Sequence, residues 1–307
     1  VGGGGFLAAH RLVDGFLIPL YFLRAHIMRI QVQHSTEYVY DSPVFLEPHT
    51  FRLRPREDGA QRLLTYRLDI TPAPAGRSDC LDQDGNVAVE AWFDRKLTGW
   101  RIDSAFQIET LRENPFDFVA SAGMLSLAPV YPESVAASLA PYMESAQPSA
   151  SVRQFAASAA AAAGGHTLEF LTVLNRRLFE GFGHEVRDTG PPHPPEVTLG
   201  LKAGTCRDLV VLFAAAARAV GIPTRFVSGY EAGAAEQEQP VLHAWAEVYL
   251  QGGGWRGYDP SAGLATSTRH IALAAAADPR LAAPVNGTIR GSARSEMRFS
   301  LAMQLGR

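Results

Sequence analysis

Only two cysteines, Cys80 and Cys206, occur among the 307 residues. They lie in segments of different character, which excludes a disulfide framework and a cysteine-based zinc site and leaves room for one reactive thiol. A dominant charge is also missing. The 28 basic and 31 acidic side chains give a formal net charge of -3 and are interleaved along the chain, so there is no electrostatic footprint for DNA or RNA. Long apolar runs are missing too: near the start the longest uncharged one, Gly15 to Leu23, is too short to cross a bilayer. Arg11 and Asp14 also spoil it as a secretory signal. Neither a nucleic acid nor a membrane is expected as a partner, the default address is the cytoplasm, and residues 1–27 are expected to be an extension outside the fold.

Hydrophobic residues make up 47% of the chain and charged ones 19%, an ordinary globular balance, and the length suits two modest domains. From Met28 to about Leu111 the pattern has the period of strands, as in Arg29-Ile30-Gln31-Val32-Gln33-His34, Leu63 to Ile70 and Val87 to Phe93. Turn formers such as Asp41-Ser42-Pro43, Glu57-Asp58-Gly59 and Asp84-Gly85-Asn86 punctuate it. These features predict an antiparallel β-sandwich-like domain over 28–115. Pro129, Pro132, Pro141 and Pro148 then break 116–150 into a connection of short helical pieces.

From Ser151 the composition turns helical, with an alanine-rich run to Ala163 and a second helix from Thr167 to Phe179. The four prolines between His184 and Gly200 predict an irregular loop. A further helix begins at Gly204-Thr205-Cys206-Arg207-Asp208, with Thr205 as N-cap and Gly221 beyond its end. Strand segments follow at Thr224 to Tyr230, Val241 to Leu250 and Trp255 to Asp259. The result is an α+β chain in which a cysteine-bearing helix packs on a small antiparallel sheet over 151–262, with strands in 263–307 completing that core.

A thiol becomes nucleophilic near neutral pH beside a helix N-terminus, a cation or an imidazolium. Cys80 lies among Asp79, Asp82 and Asp84, which disfavours a thiolate. Cys206 has a helix start, Arg207 beside it, and a histidine within reach of the following sheet. His243 opens a strand whose alternation sends His243, Trp245, Glu247 and Tyr249 one way and Ala244, Ala246 and Val248 toward the helix. Asp259 ends the next strand and is placed to fix the tautomer of His243. Taken singly, each of these residues has an ordinary structural reading. Their delivery by consecutive elements of one unit points to a Cys206-His243-Asp259 triad.

Trp245 either lines an acyl pocket or packs. Asp208 sits on another face of the helix from Cys206 and fits a role in anchoring the first turn. His184, His193 and His270 have no acidic or cysteine partner at metal-ligand spacing, and the run from Glu231 to Glu238 reads as a solvated loop. Neither a metal nor a cofactor is expected. The backbone N–H of Cys206 is the natural oxyanion donor, with a side-chain donor expected from the loop between His184 and Gly200.

Together, Gly204-Thr205-Cys206-Arg207-Asp208, Gly221-Ile222-Pro223-Thr224-Arg225, His243-Ala244-Trp245-Ala246-Glu247-Val248 and Gly254-Trp255-Arg256-Gly257-Tyr258-Asp259-Pro260 resemble the core of bacterial transglutaminase-like proteins. His34-Ser35-Thr36-Glu37-Tyr38-Val39-Tyr40, Leu53-Arg54-Pro55-Arg56 and Asp84-Gly85-Asn86 resemble the β-domain that precedes this core in bacteria. The resemblance runs from about Met28 to the C-terminus. It implies a papain-like fold with its triad at Cys206, His243 and Asp259, acting on a peptide or protein amide through a thioester. Hydrolysis is expected ahead of glutamine cross-linking, and a binding module that keeps the fold is the rival class. Ser261 stands where a threonine is commoner, and the alanine run from Ala274 departs from a usually more polar stretch expected to border the substrate groove.

Overall fold

The computed structural model describes residues 9–13, 16–20, 27–143, 148–187, 190–233 and 241–306. Strands β1 (Ala9–Val13) and β2 (Phe16–Leu20) form a hairpin. The rest of the segment read as an extension lies outside the described residues.

The N-terminal domain is built from β3 (Met28–Leu46), β4 (His49–Phe51), β5 (Gln61–Thr71), β6 (Gly76–Leu81), β7 (Val87–Trp92) and β8 (Lys96–Thr110). All the pairings among them are antiparallel. Strand alternation decides what goes inside: in β3 Ile30 and Val32 are buried while Arg29, Gln31 and Gln33 face solvent. Their inward faces join Phe51, Val89, Trp100, Ile102, Phe106 and Ile108 in one core.

Helices α1 (Glu133–Met143), α2 (Ala150–Ala162) and α3 (Thr167–Gly181) lead into the second domain, followed by β9 (Gly183–His184). The proline-rich stretch is less irregular than its composition predicts, because α4 spans Pro195–Leu201. Proline is tolerated there since Pro195 occupies the first helical position, where no intrahelical N–H is needed. Lys202, with φ at 54°, ends the helix in the left-handed region. Then come β10 (Ala203–Gly204) and α5 (Cys206–Ala219), β11 (Thr224–Glu231), β12 (Val241–Leu250), β13 (Gly254–Asp259), β14 (Leu264–Ala265) and β15 (His270–Ala276).

The core sheet has the order β14-β13-β12-β11-β15. One face packs on α5: Ala244, Ala246 and Val248 share a cluster with Leu209, Val210, Leu212 and Phe213. The small β12 side chains let the helix approach closely. The other face meets the N-terminal domain, whose core takes in Tyr230, Ile271 and Leu273. Ala274, Ala275 and Ala276 are fully buried in β15. Ala274 to Ala276 are thus packed strand interior, while Ala277 and Asp278 are half-buried and line a cavity with Glu196, Val211 and Arg218.

Of the tail expected to complete the core, only β14 and β15 do so. Strand β16 (Val285–Asn286) pairs with β4, and β17 (Ile289–Arg290) and β18 (Ser295–Gly306) pair with β3. The 19-residue β3 has a free edge opposite β8, and β18 covers it from Tyr40 to Arg29. The uncovered edge strand thereby gains a partner for its backbone groups.

Candidate active site

The start of α5 is fixed by a reciprocal cap. The Thr205 hydroxyl accepts from the Asp208 N–H, while Asp208 Oδ2 accepts from Thr205 N at 2.8 Å and from its hydroxyl at 2.9 Å. Oδ1 of Asp208 takes the N–H of His193 at 2.7 Å and Arg187 Nη2 at 2.8 Å. Burial alone would raise the Asp208 carboxyl, but these hydrogen bonds outweigh it and hold the group below its ordinary range. Arg207 adds a hydrogen bond from Nη1 to the Gly190 carbonyl at 2.9 Å. Fully buried Asp208 therefore clamps the loop before Cys206, and Gly204 leaves it room, since a Cβ there would lie 2.8 Å from that of Asp208.

Asp208 N and Leu209 N turn back to Thr205. The N–H groups of Cys206 and Arg207 remain at the open end of the helix, where the positive end of its dipole favours a thiolate and a developing oxyanion. Cys206 is half-buried, whereas Cys80 is exposed on β6.

His243 reaches toward this thiol from β12, and the interaction with Cys206 is among the causes that raise its imidazole. Its Nε2 lies 2.6 Å from Oδ2 of Asp259, so Nδ1 is the nitrogen left for sulfur. Burial on its own depresses the imidazole. The hydrogen bonds to Asp259 and Cys206 and their charges override it and push the ring up to about 10. Asp259 is fully buried. Burial raises its carboxyl, yet hydrogen bonds from His243 and His270 and the charge of the His243 ring hold it far below the usual carboxylate range. Oδ1 accepts from Ser261 N at 3.0 Å, Ser261 Oγ at 2.7 Å and Ala262 N at 3.2 Å. Serine thus supplies the hydroxyl that a threonine would bring.

Two family models match the chain: the bacterial transglutaminase-like N-terminal region over residues 30–109 and the transglutaminase-like superfamily core over 153–260. The chain belongs to the bacterial transglutaminase-like superfamily. Among curated relatives, an uncharacterized protein of Mycobacterium leprae is 26% identical over 282 residues, covering 88% of this chain and 96% of its own length. A Mycobacterium tuberculosis protein, also uncharacterized, is 26% identical over 275 residues, covering 85% of this chain and 87% of its own. A crystal structure of a candidate cysteine protease from Cytophaga hutchinsonii superposes with a TM-score of 0.68 at 21% identity over 91% of each chain. That likeness supports the mixed α+β fold with antiparallel sheets.

Within the transglutaminase-like core, Cys206, His243 and Asp259 are brought together, and Trp245 is not a wall of an open pocket. Trp245 is 1% exposed, and its ring occupies the place a side chain would need at Gly229, where a Cβ would lie 2.5 Å from it. It underlies the site instead, packing edge-on against His270 at 5.3 Å between centroids. Sequence spacing set His270 and His193 aside for want of an acidic partner, yet the fold supplies Asp259 to the first and Asp208 to the second. Glu231, read as the start of a solvated loop, is the last residue of β11 and puts Oε2 3.7 Å from His243 Nε2. Residues 234–238 of that run lie outside the described residues. Glu231, Asp259 and His270 hold three potential metal-ligand atoms within 4.8 Å of one another, and of these His270 and Asp259 are hydrogen-bonded to each other.

The signal for His270 was a polar residue opening the otherwise apolar strand His270–Ala276. No helix among the described residues is long and apolar enough to cross a membrane.

Proposed function

We propose that this protein is a thiol-dependent acyl-transfer enzyme that hydrolyses peptide or isopeptide-type amides in a peptide or protein substrate. One observation carries the reading. A thiol at a helix N-terminus raises a neighbouring imidazole whose Nε2 lies 2.6 Å from a buried carboxylate. In the reaction, the Cys206 thiol proton resides on His243 Nδ1, and the thiolate attacks the amide carbonyl carbon. The oxyanion forms beside the Cys206 N–H. As the C–N bond breaks, His243 gives its proton to the departing amine and a thioester remains. Water, deprotonated by His243, then attacks the thioester and releases the acid and the free thiol. Asp259 holds the ring in the one tautomer and orientation that serve both steps and stays ionised throughout.

The description of the Cytophaga hutchinsonii protein as a candidate cysteine protease accords with water as acceptor. The test is intact-mass analysis of protein mixed with amide and activated-ester acyl donors, with and without an amine acceptor. The expected result is an acyl adduct on Cys206, absent in Cys206→Ser, that decays to free acid. Amine incorporation into glutamine substrates without hydrolysis would replace this reading with cross-linking. An inert thiol toward every donor would leave a binding module.

A further inference from the structure

His270 lies outside the triad, on β15, and its two ring nitrogens are both engaged. Nδ1 faces the backbone N–H of Ser267 at 3.4 Å. A backbone N–H can only donate, so Nδ1 accepts and the ring proton is on Nε2. That Nε2–H points at Oδ2 of Asp259 at 3.2 Å, the same oxygen that His243 contacts at 2.6 Å. The His270 ring is fixed from a third side by the edge-on Trp245 and is 9% exposed. Three elements therefore converge on one carboxylate, with His243 from β12, His270 from β15 and Ser261 and Ala262 from the turn after β13, while Glu231 of β11 faces His243. The thiol of α5 is reached through His243.

We propose that His270 is a positioning residue of the active site, a fixed N–H donor that keeps Asp259 ionised and aimed at His243. The proposal rests on the acyl-transfer reading of Cys206 and His243. A carboxylate buried in low dielectric gives up its charge when a donor is removed. Loss of the His270 donor therefore makes Asp259 easier to protonate, weakens the imidazolium that it stabilises, and so weakens the thiolate. Trp245 and Gly229 acquire a purpose in this arrangement. The indole spreads over the glycine and seats the His270 ring, which ties a buried aromatic under the sheet to the protonation of the nucleophile.

The test compares the pH profile of Cys206 alkylation by iodoacetamide in wild type, His270→Leu and His270→Gln. Leucine keeps bulk without a donor, and the glutamine amide reaches the same acceptor. In the leucine variant the acid limb should move to higher pH, with a fall of about tenfold in labelling rate on that limb. The glutamine variant should stay within about twofold of wild type. An acid limb unchanged in a folded leucine variant would reduce His270 to packing. Histidine nitrogen NMR of the wild type decides the same point without a substitution: a proton on Nε2 of His270 with Nδ1 bare is expected, and a proton on Nδ1 overturns the assignment. A wild-type Cys206 that labels no faster than a free thiol sinks the acyl-transfer reading instead, and the tautomer then still reports separately on the donor to Asp259.

Discussion

Asp259 bonds His243 at 2.6 Å although the two are not paired across the sheet. The β12–β13 ladder ends at Ala246 opposite Tyr258, so Asp259 lies one step past the last pair and reaches diagonally. The contact is electrostatically matched, and its contribution to stability must vary with pH. His243 is raised from 6.5 to about 10, so its contribution is complete below about pH 6.5 and is lost as pH rises through about 10. Asp259 is depressed, so its contribution is present above the ordinary carboxylate range near 4 and lost as pH falls below it. The difference in unfolding free energy between wild type and His243→Ala, measured in urea, should be largest at about pH 5 to 6 and shrink steadily toward pH 10. A difference that stays constant over that alkaline range would mean the imidazole is not charged in the folded protein.

Asp259→Asn is close to isosteric and should be severe. The carboxylate accepts from two histidine rings on Oδ2 and from the Ser261–Ala262 turn on Oδ1. An amide offers one acceptor oxygen, and its NH2 group must then face either the turn donors or the histidine N–H groups. We expect a stability loss of about 3 kcal/mol and a fall in acyl-enzyme formation on the order of 10⁴-fold, because the imidazole loses its tautomer. Stopped-flow acylation together with urea unfolding separates the two effects.

The clamp on the other side of the site is Asp208. Its replacement by alanine strands the N–H groups of Thr205 and His193, the Thr205 hydroxyl and the Arg187 guanidinium at a fully buried position. The expected cost is about 3 kcal/mol, read as a Tm lowered by about 5 °C for a chain of this size. Labelling of Cys206 should also slow, since the loop before the thiol loses its anchor. A Tm within a degree of wild type would show that the cap and the helix dipole hold this end without the carboxylate.

The legible parts of this chain were those whose cause is local. Thr205, Cys206, Asp208 and Gly221 declare a helix with a cap, an acid and a stop within sixteen-odd positions, and the small residues of β12 announce the face that meets it. What stayed hidden has long-range causes. His270 meets Asp259 only because β15 joins the far edge of the sheet, and Trp245 is buried because Gly229 on the neighbouring strand leaves it space. The destination of β18 was equally illegible, since alternation fixes which side chains turn inward but not which open edge a strand will cover.

That same limit applies to the join between the domains, where two amides stand in for a missing strand. Strand β15 is the edge of the core sheet, and its outward backbone groups need partners. The Gln61 side chain donates to the Ala272 carbonyl at 2.8 Å and accepts from its N–H at 2.9 Å. The Asn86 side chain does the same at Ala275, at 3.0 and 2.9 Å. Each amide reproduces the paired donor and acceptor of a strand residue and bonds the N-terminal domain to the strand that carries His270. Alanine at position 86 leaves both the N–H and the carbonyl of Ala275 without these partners, and alanine at position 61 strands the Ala272 N–H while its carbonyl keeps the Arg56 N–H at 2.9 Å; each should cost about 1–3 kcal/mol. Hydrogen exchange of the Ala272 and Ala275 amides gives the site-resolved check. Gln61→Ala should speed exchange chiefly at Ala272 and Asn86→Ala chiefly at Ala275, whereas equal acceleration of all β15 amides in both variants would mean that the strand opens as a unit and the amides act only through overall stability.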